Sequence, residues 1–406
     1  LTYACPDWFP APVPGLRVLV PLGRGLRVGI LQEPCAAPPE GVELKPLVWP
    51  LEQEPLLDAG LLALVRELAS RHMAHPGRIL EVILPRGLRT AQVQLSVEHK
   101  DFKPTLAPKA LQSLPTDRLE LLAALWAEGR MRVRMSAKRQ AEDLYVMLAA
   151  DPPWPVRPNA VQQLRLLERL FDSGAMTLGA VRAVFGEPGS LALKKLAKAG
   201  LVRLGEPPDD TPVDAEEGIP VPVEPVEPGC TLPEGGLTAT DEQQSALDAL
   251  LPKLRSAEAE MALVHGITGS GKTHVYLELA RQCLADGRSA ILLAPEVALA
   301  CQLWRQVKAA LRGAEAFFSH GYQTPARRED TFRRVGAAKG PVVVVGTRSA
   351  LFLPVRTLGM VVLDEEHDES YKQEERLPYH AKELAYSRIQ RSGGLLVLGS
   401  ATPDLK

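Results

Sequence analysis

The chain has 406 residues, 46% of them hydrophobic and 24% charged, with a formal net charge of -2; that length exceeds what one core organises, so about two to four domains are expected. A near-neutral balance excludes a uniformly basic nucleic-acid-coating protein and leaves any basic surface local. Five cysteines, at 5, 35, 230, 283 and 301, form no C-x-x-C pair, which argues against zinc and against a disulfide framework and fits a reduced cytoplasmic setting. There is no apolar run of about 18 residues or more and no signal-peptide pattern, so no membrane segment is expected. Leu1 in place of Met suggests a trimmed start.

Residues 1 to about 105 read as a small β-rich module. Leu16 to Pro21 and Leu26 to Leu31 are strand candidates joined by a hairpin turn at Leu22-Gly-Arg-Gly25. Leu56 to Met73 carries apolar residues at helical spacing until His75-Pro-Gly77 breaks it. Nothing in this stretch is catalytic by spacing alone. Residues about 106–205 read as mostly helical, with five basic residues in Arg130 to Arg139, either a solvated face or a phosphate contact. Amphipathic segments near Asn159 to Asp172, Thr177 to Phe185 and Ser190 to Ala199 precede a short strand at Leu201 to Leu204. Three helices ending in a strand give a winged-helix outline, used for protein and for DNA contacts alike.

Residues 206–236 hold eight prolines and nine Asp or Glu with no Lys or Arg, a composition that reads as an extended, self-repelling tether. From Leu237 onward, α/β alternation begins. Thr240 and Gln243 predict a capping box for a helix over Asp241 to Leu250. Strands are predicted at Met261 to Ile267, Ala290 to Ala294, Ala316 to Phe318, Val342 to Val345, Met360 to Leu363 and Leu395 to Leu398. Helices are predicted near Lys272 to Asp286, Ala298 to Leu311, Pro325 to Ala338 and His380 to Arg391. Near-continuous Val, Ile and Leu in the strands predicts a mostly parallel sheet buried on both faces, with ligands beyond the carboxyl ends of its strands.

Two stretches carry chemistry. Gly266-Ile-Thr-Gly-Ser-Gly-Lys-Thr273 is a G-x-x-x-x-G-K-[ST] loop between an apolar run and an amphipathic segment. Gly266, Thr268, Gly269, Ser270 and Gly271 would cradle phosphates with backbone N–H groups, Lys272 would charge-pair with the outer phosphates, and the Thr273 hydroxyl would hold Mg²⁺. Met360-Val-Val-Leu-Asp-Glu-Glu-His367 ends a strand in carboxylates. Asp364 would hold Mg²⁺, largely through water, and Glu365 would orient or deprotonate the attacking water.

Taken in order, Gln243, the Gly266–Thr273 loop, Pro295-Glu296, Gly346-Thr-Arg-Ser349, Asp364-Glu-Glu-His367 and Ser400-Ala-Thr402 succeed one another as do the motifs of superfamily 2 helicases. GITGSGKTHVYL (266–277), GTRSALFLP (346–354), DEEHDESYKQEE (364–375), YHAKELA (379–385) and LGSATP (398–403) resemble the PriA family of primosomal replication-restart helicases. The resemblance is strong over about 240–406 and weaker over 1–35 and 75–85. It implies a multidomain fold: a β-rich domain binding the 3′ end of a nascent strand over 1–105, a winged-helix domain over 106–205, the linker 206–236, and a RecA-like P-loop lobe over 237–406.

The resemblance also implies roles. Gln243 would read adenine, and His367, Ser400 and Thr402 would couple nucleotide state to DNA. The family's 3′-end grip uses an F-D-Y stretch and the glycine of V-P-F-G; here these read Leu1-Thr2-Tyr3 and Val20-Pro21-Leu22-Gly23, so Tyr3 and Gly23 are kept and the aspartate is not. Arg348, Tyr371, Lys372 and Tyr379 would meet DNA, although Leu377-Pro378 departs from the family's usual aromatic-rich loop. ATP and Mg²⁺ are the implied cofactors. Forked and single-stranded DNA, single-strand-binding protein and other primosome proteins are the implied partners, and the setting is a bacterial nucleoid. The chain stops at Lys406, before the family's second lobe, arginine finger and zinc-binding cysteines; the intact motifs favour a fragment of a 3′-to-5′ helicase over a fork-binding scaffold without catalysis.

Overall fold

The computed structural model describes residues 1–35, 43–135, 144–150, 154–157, 160–173, 175–205, 239–267, 269–321, 323, 325–374 and 377–403. The acidic tether, Thr268, Cys230 and the second half of the basic run lie outside them.

The N-terminal hairpin pairs β1 (Arg17–Leu22) with β2 (Gly25–Ile30), and β3 (Trp49–Pro50) adds to the other side of β1. Its turn needs Gly23, whose φ of 60° is left-handed backbone. Two helices follow. Asp58 caps α1 (Ala59–Arg71) by accepting the Leu61 N–H, and the His75-Pro-Gly77 break starts α2 (Pro76–Ile83), with His75 as cap and Pro76 in the first turn.

Next come β4 (Val93–Val97), β5 (Thr105–Leu106), α3 (Thr116–Ala127) and β6 (Met131–Met135), the strands forming a sheet in the order β5-β4-β6. Leu19, Trp49, Leu95, Leu122, Trp126 and Met131 share one core. The expected division at 105/106 therefore falls inside β5, and the first core runs to β6. The first half of the basic run is a strand rather than a helix. Met131 points inward while Arg132 and Arg134 are exposed, which is the alternation of a half-buried strand.

β7 (Tyr145–Leu148), α4 (Val161–Ser173), β8 (Ala175–Thr177), α5 (Leu178–Lys198) and β9 (Val202–Gly205) form a separate cluster around Val146, Leu166, Leu170, Val181, Leu193 and Leu196. Gly186, at φ 62° and ψ -154°, divides α5 into two helices, with Pro188 opening the second. Three helices on the antiparallel sheet β8-β7-β9 give the winged-helix outline. The β7 strand has no counterpart among the predicted elements.

The third unit comprises α6 (Asp241–Leu254), β10 (Ala259–His265), α7 (Lys272–Ala285), β11 (Ser289–Leu293), α8 (Val297–Ala310), β12 (Glu315–Ser319), α9 (Pro325–Ala337), β13 (Val342–Gly346), β14 (Leu358–Leu363), the short pair β15 (Lys372–Gln373) and β16 (Tyr379–His380), α10 (Ala381–Ser392) and β17 (Gly394–Ser400). Six strands lie in the order β10-β17-β14-β11-β13-β12, parallel throughout, as the RecA-like reading requires. Four of them, β11, β13, β14 and β17, are buried almost along their whole length. β10 departs from the expected two-sided burial: it is an edge strand among the described residues, and Met261 and Leu263 are 56% and 50% exposed.

One face of the sheet packs against α6, α7 and α8. The opposite face packs against α9 and α10 and also against α1 and α2: Leu61, Leu64, Val65, Leu68, Ile79 and Ile83 lie in one core with Val344, Val361, Phe332 and Leu384. Residues 56–88 are thus built into the lobe rather than separated from it. Polar contacts reinforce the junction. Glu52 accepts from Arg17 Nε at 2.8 Å and from Arg333 at 3.0 Å. Glu67 on α1 accepts from Ser387 at 2.9 Å and from Arg391 on α10, and Arg71 pairs with Glu383 at 2.9 Å.

Candidate active site

β10 ends at His265, α7 starts at Lys272, and the loop between them bends through Gly269 and Gly271, at φ 82° and 84°. Side chains are disfavoured at both angles, and at Gly271 a Cβ would also lie 2.2 Å from Gln243 Nε2. Gln243 itself closes the predicted capping box with Thr240 and donates to Ser270 O at 3.3 Å. The cap of α6 and the phosphate loop are therefore tied through one amide. Gly266 N–H donates to Ser400 O at 3.1 Å, fixing the loop against the end of β17.

Lys272 folds over this loop. Its Nζ donates to Gly266 O at 2.8 Å and stands 3.7 Å from Glu365 Oε1. The ammonium thus lies between the glycine loop and the carboxylates, where it can charge-pair with phosphate. Thr273 is the second residue of α7 and is half-buried.

Asp364 follows β14 and extends its ladder, donating its N–H to Leu293 O at 2.9 Å. Burial, then the neighbouring Glu365 carboxylate, push the Asp364 carboxyl above its usual range. Such a pair is relieved by a bound cation. Carboxylate and hydroxyl oxygens are the hard donors Mg²⁺ takes, in small number, alongside water and phosphate; Asp364 and Thr273 fit that requirement. Glu365 sits at φ 46°, left-handed backbone that costs a non-glycine residue about 1–3 kcal/mol and clusters at functional sites. Glu366 turns away, buried against Lys382 on α10. His367 Nδ1 shares a 2.9 Å hydrogen bond with Ser400 Oγ, which also accepts the Thr402 N–H at 3.1 Å.

The residues assigned to DNA fare differently. Tyr371 is fully buried in the core, and its hydroxyl lies 2.7 Å from Asp364 O and 3.1 Å from Leu293 O. It has no face to offer a base, so its expected role in stacking is corrected to bracing the carboxylate turn. Tyr379 is largely enclosed, edge-on to Phe352 at 5.2 Å, and burial pushes its hydroxyl up to about 12. Arg348 aims its guanidinium at Ser370 O, Lys372 O and the Gln373 side chain; any phosphate contact competes with these bonds. Lys372 is exposed beside Glu374.

At the other end of the chain, Tyr3 donates to Pro21 O at 3.2 Å and borders a cavity of about 1230 Å³ between β2 and α2, whereas Gly23 borders another, of about 660 Å³, together with Lys45 and Lys109. Tyr3 reaches Pro21, two residues before Gly23, but the two residues line different cavities. Tyr276, inside the 266–277 stretch but given no role by it, lies one turn into α7 and donates to Asp364 Oδ1 at 3.2 Å.

Comparisons with known proteins match both ends of the chain. Residues 240–406 match the family described as DEAD/DEAH box helicase, and residues 1–85 match the 3′ DNA-binding domain of PriA. The replication restart protein PriA of Bacillus subtilis is 29% identical over 97% of this chain and 50% of its own length. The Synechocystis protein of the same name is 32% identical over 71% of this chain and 32% of its own, and that of Chlamydia pneumoniae 41% identical over 41% and 22%. The chain thus spans half or less of these relatives.

The parallel sheet, the phosphate loop and the carboxylate turn lie within the residues that match the DEAD/DEAH box helicase family and give them a RecA-like P-loop lobe. A 3′ DNA-binding domain lies ahead of it in the same chain. The chain belongs to the PriA family of replication restart proteins.

Proposed function

We propose that this chain is the fork-reading and ATP-binding portion of a 3′-to-5′ replication-restart helicase that recognises abandoned forks and begins primosome assembly. The observation that carries this reading is the meeting of Lys272, Glu365, Asp364, His367 and Ser400 at one sheet edge, in a chain that also holds a 3′ DNA-binding domain. Mg²⁺, when bound, would supply charge neutralisation at the phosphates. The chain's own groups do the rest. Lys272 and the glycine loop bind and orient the outer phosphates, Asp364 and Thr273 hold the ion, and Gln243 reads the adenine edge from the rim of the loop. Glu365 orients the attacking water and takes its proton. The His367–Ser400 bond joins the carboxylate turn to the S-A-T segment, the route by which hydrolysis is felt at DNA.

Tyr3 and Gly23 hold the 3′ end of the nascent strand, and single-strand-binding protein and primosome components act as partners in the bacterial cytoplasm. In the full-length protein, Lys272→Ala abolishes DNA-stimulated ATPase and leaves forked-DNA affinity nearly unchanged. Undiminished hydrolysis in that variant would refute the assignment. Capping the 3′ terminus of a fork weakens binding; equal affinity for capped and free ends would retire the 3′-end role.

A further inference from the structure

Tyr276 stands one helical turn after Lys272, fully buried between α7 and the sheet. Its hydroxyl donates to Asp364 Oδ1 at 3.2 Å, and space for that hydroxyl is made by Gly399 on β17: a Cβ there would lie 1.7 Å from the hydroxyl oxygen and 3.2 Å from Asp364 Oδ1. A phenylalanine would fill the same pocket without a polar group to satisfy in the interior. The hydroxyl and the missing side chain opposite it thus form one device, joining the phosphate-loop helix, the carboxylate turn and the strand that leads into Ser400.

We propose that Tyr276 is a positioning residue for the metal-binding carboxylate: it restricts Asp364 to the rotamer in which that carboxylate meets the Mg²⁺ of bound nucleotide. This rests on the reading of Asp364 as a magnesium residue. Without the hydroxyl, the carboxylate samples several rotamers, and binding the ion must then select one of them.

The test is equilibrium binding of a fluorescent ATP analogue to this chain, with Mg²⁺ saturating and with Mg²⁺ removed by chelator. Y276F is expected to lose about threefold to tenfold of the Mg²⁺-dependent gain in affinity, the size of one hydrogen bond, while Mg²⁺-free affinity stays as in the parent chain. Gly399→Ala, which displaces the hydroxyl without removing it, is expected to show the same selective loss, and it decides the question if Y276F does not fold. Asp364→Asn is expected to lose the Mg²⁺-dependent gain altogether. A Y276F chain that keeps the full gain while Asp364→Asn loses it overturns the positioning role. Equal loss with and without Mg²⁺ in Y276F overturns it too, since that is what packing alone would produce. If Asp364→Asn keeps the gain, the reading of Asp364 fails instead.

Discussion

Lys272, Asp364 and Glu365 do separable things, and substitution separates them. Glu365→Gln keeps the shape and the left-handed turn but removes the proton acceptor, so DNA-stimulated hydrolysis in the full-length protein falls by about 10²–10⁴-fold while nucleotide affinity changes little; comparison of kcat with the dissociation constant checks this. Asp364 is held above its ordinary range by burial, then by Glu365. A carboxylate with a raised folded pKa stabilises the fold below its unfolded pKa, about 3.9, and that contribution is lost as pH rises through the folded value. Asp364→Asn therefore raises the thermal midpoint of the nucleotide-free chain at neutral pH, and the advantage disappears in acid below the unfolded pKa; a midpoint that does not rise at pH 7 contradicts it. The glycine loop and the D-E-E-H turn were legible because their chemistry requires fixed residue types at fixed spacing. Tyr371 and Tyr276 were not, since a tyrosine in a motif-rich segment looks the same whether its ring faces a base or the core.

Periodicity specified the elements better than their partners. β11, β13, β14 and β17 appear near the predicted positions because their apolar runs can satisfy only a two-sided sheet. Leu61, Leu64, Val65 and Leu68 show that α1 has an apolar face, but nothing local says that it packs on the helicase lobe rather than on the N-terminal sheets. β6 is not among the predicted elements, although its arginines alternate with Met131, Val133 and Met135 at strand period; its pairing with β4 is what separates that pattern from a charged surface run. Gly399 is the sharpest element-level constraint: the alanine variant forces Tyr276 out of place and costs about 1–3 kcal/mol of stability, which chemical denaturation would register; an unchanged midpoint would show that the strand and α7 are not packed as described.

Five buried clusters organise the described residues of the chain, two of them on opposite faces of the lobe's sheet, and the division between them is not the one that composition suggests. The sheet of the lobe buries α1 and α2 on one face, and Glu52 and Glu67 each bridge N-terminal and lobe arginines. Partial burial raises Glu67, but hydrogen bonds from Arg391 and Ser387 outweigh it and hold its carboxyl below the ordinary range, so this contribution is present at neutral pH and is lost as pH falls through the folded value. The winged-helix cluster keeps its own core around Val146, Leu166, Leu193 and Leu196. Leu64→Ala, costing about 2–5 kcal/mol, is therefore expected to lower the calorimetric transition that Mg·ATP raises, whereas Leu193→Ala lowers a different one. If Leu64→Ala left the ATP-responsive transition untouched, the N-terminal helices would not be part of the lobe.

Nucleotide binding at Gly266–Thr273 is most directly tested by calorimetric titration of a non-hydrolysable ATP analogue with Mg²⁺ into the 406-residue chain and into Lys272→Ala, with forked-DNA affinity measured on the same samples. Saturable binding is expected in the parent chain, a loss of at least about tenfold in the variant, corresponding to about 1.4 kcal/mol or more, and equal fork affinity in both. Equal nucleotide affinity in the two chains would contradict the assignment of this loop as the ATP site.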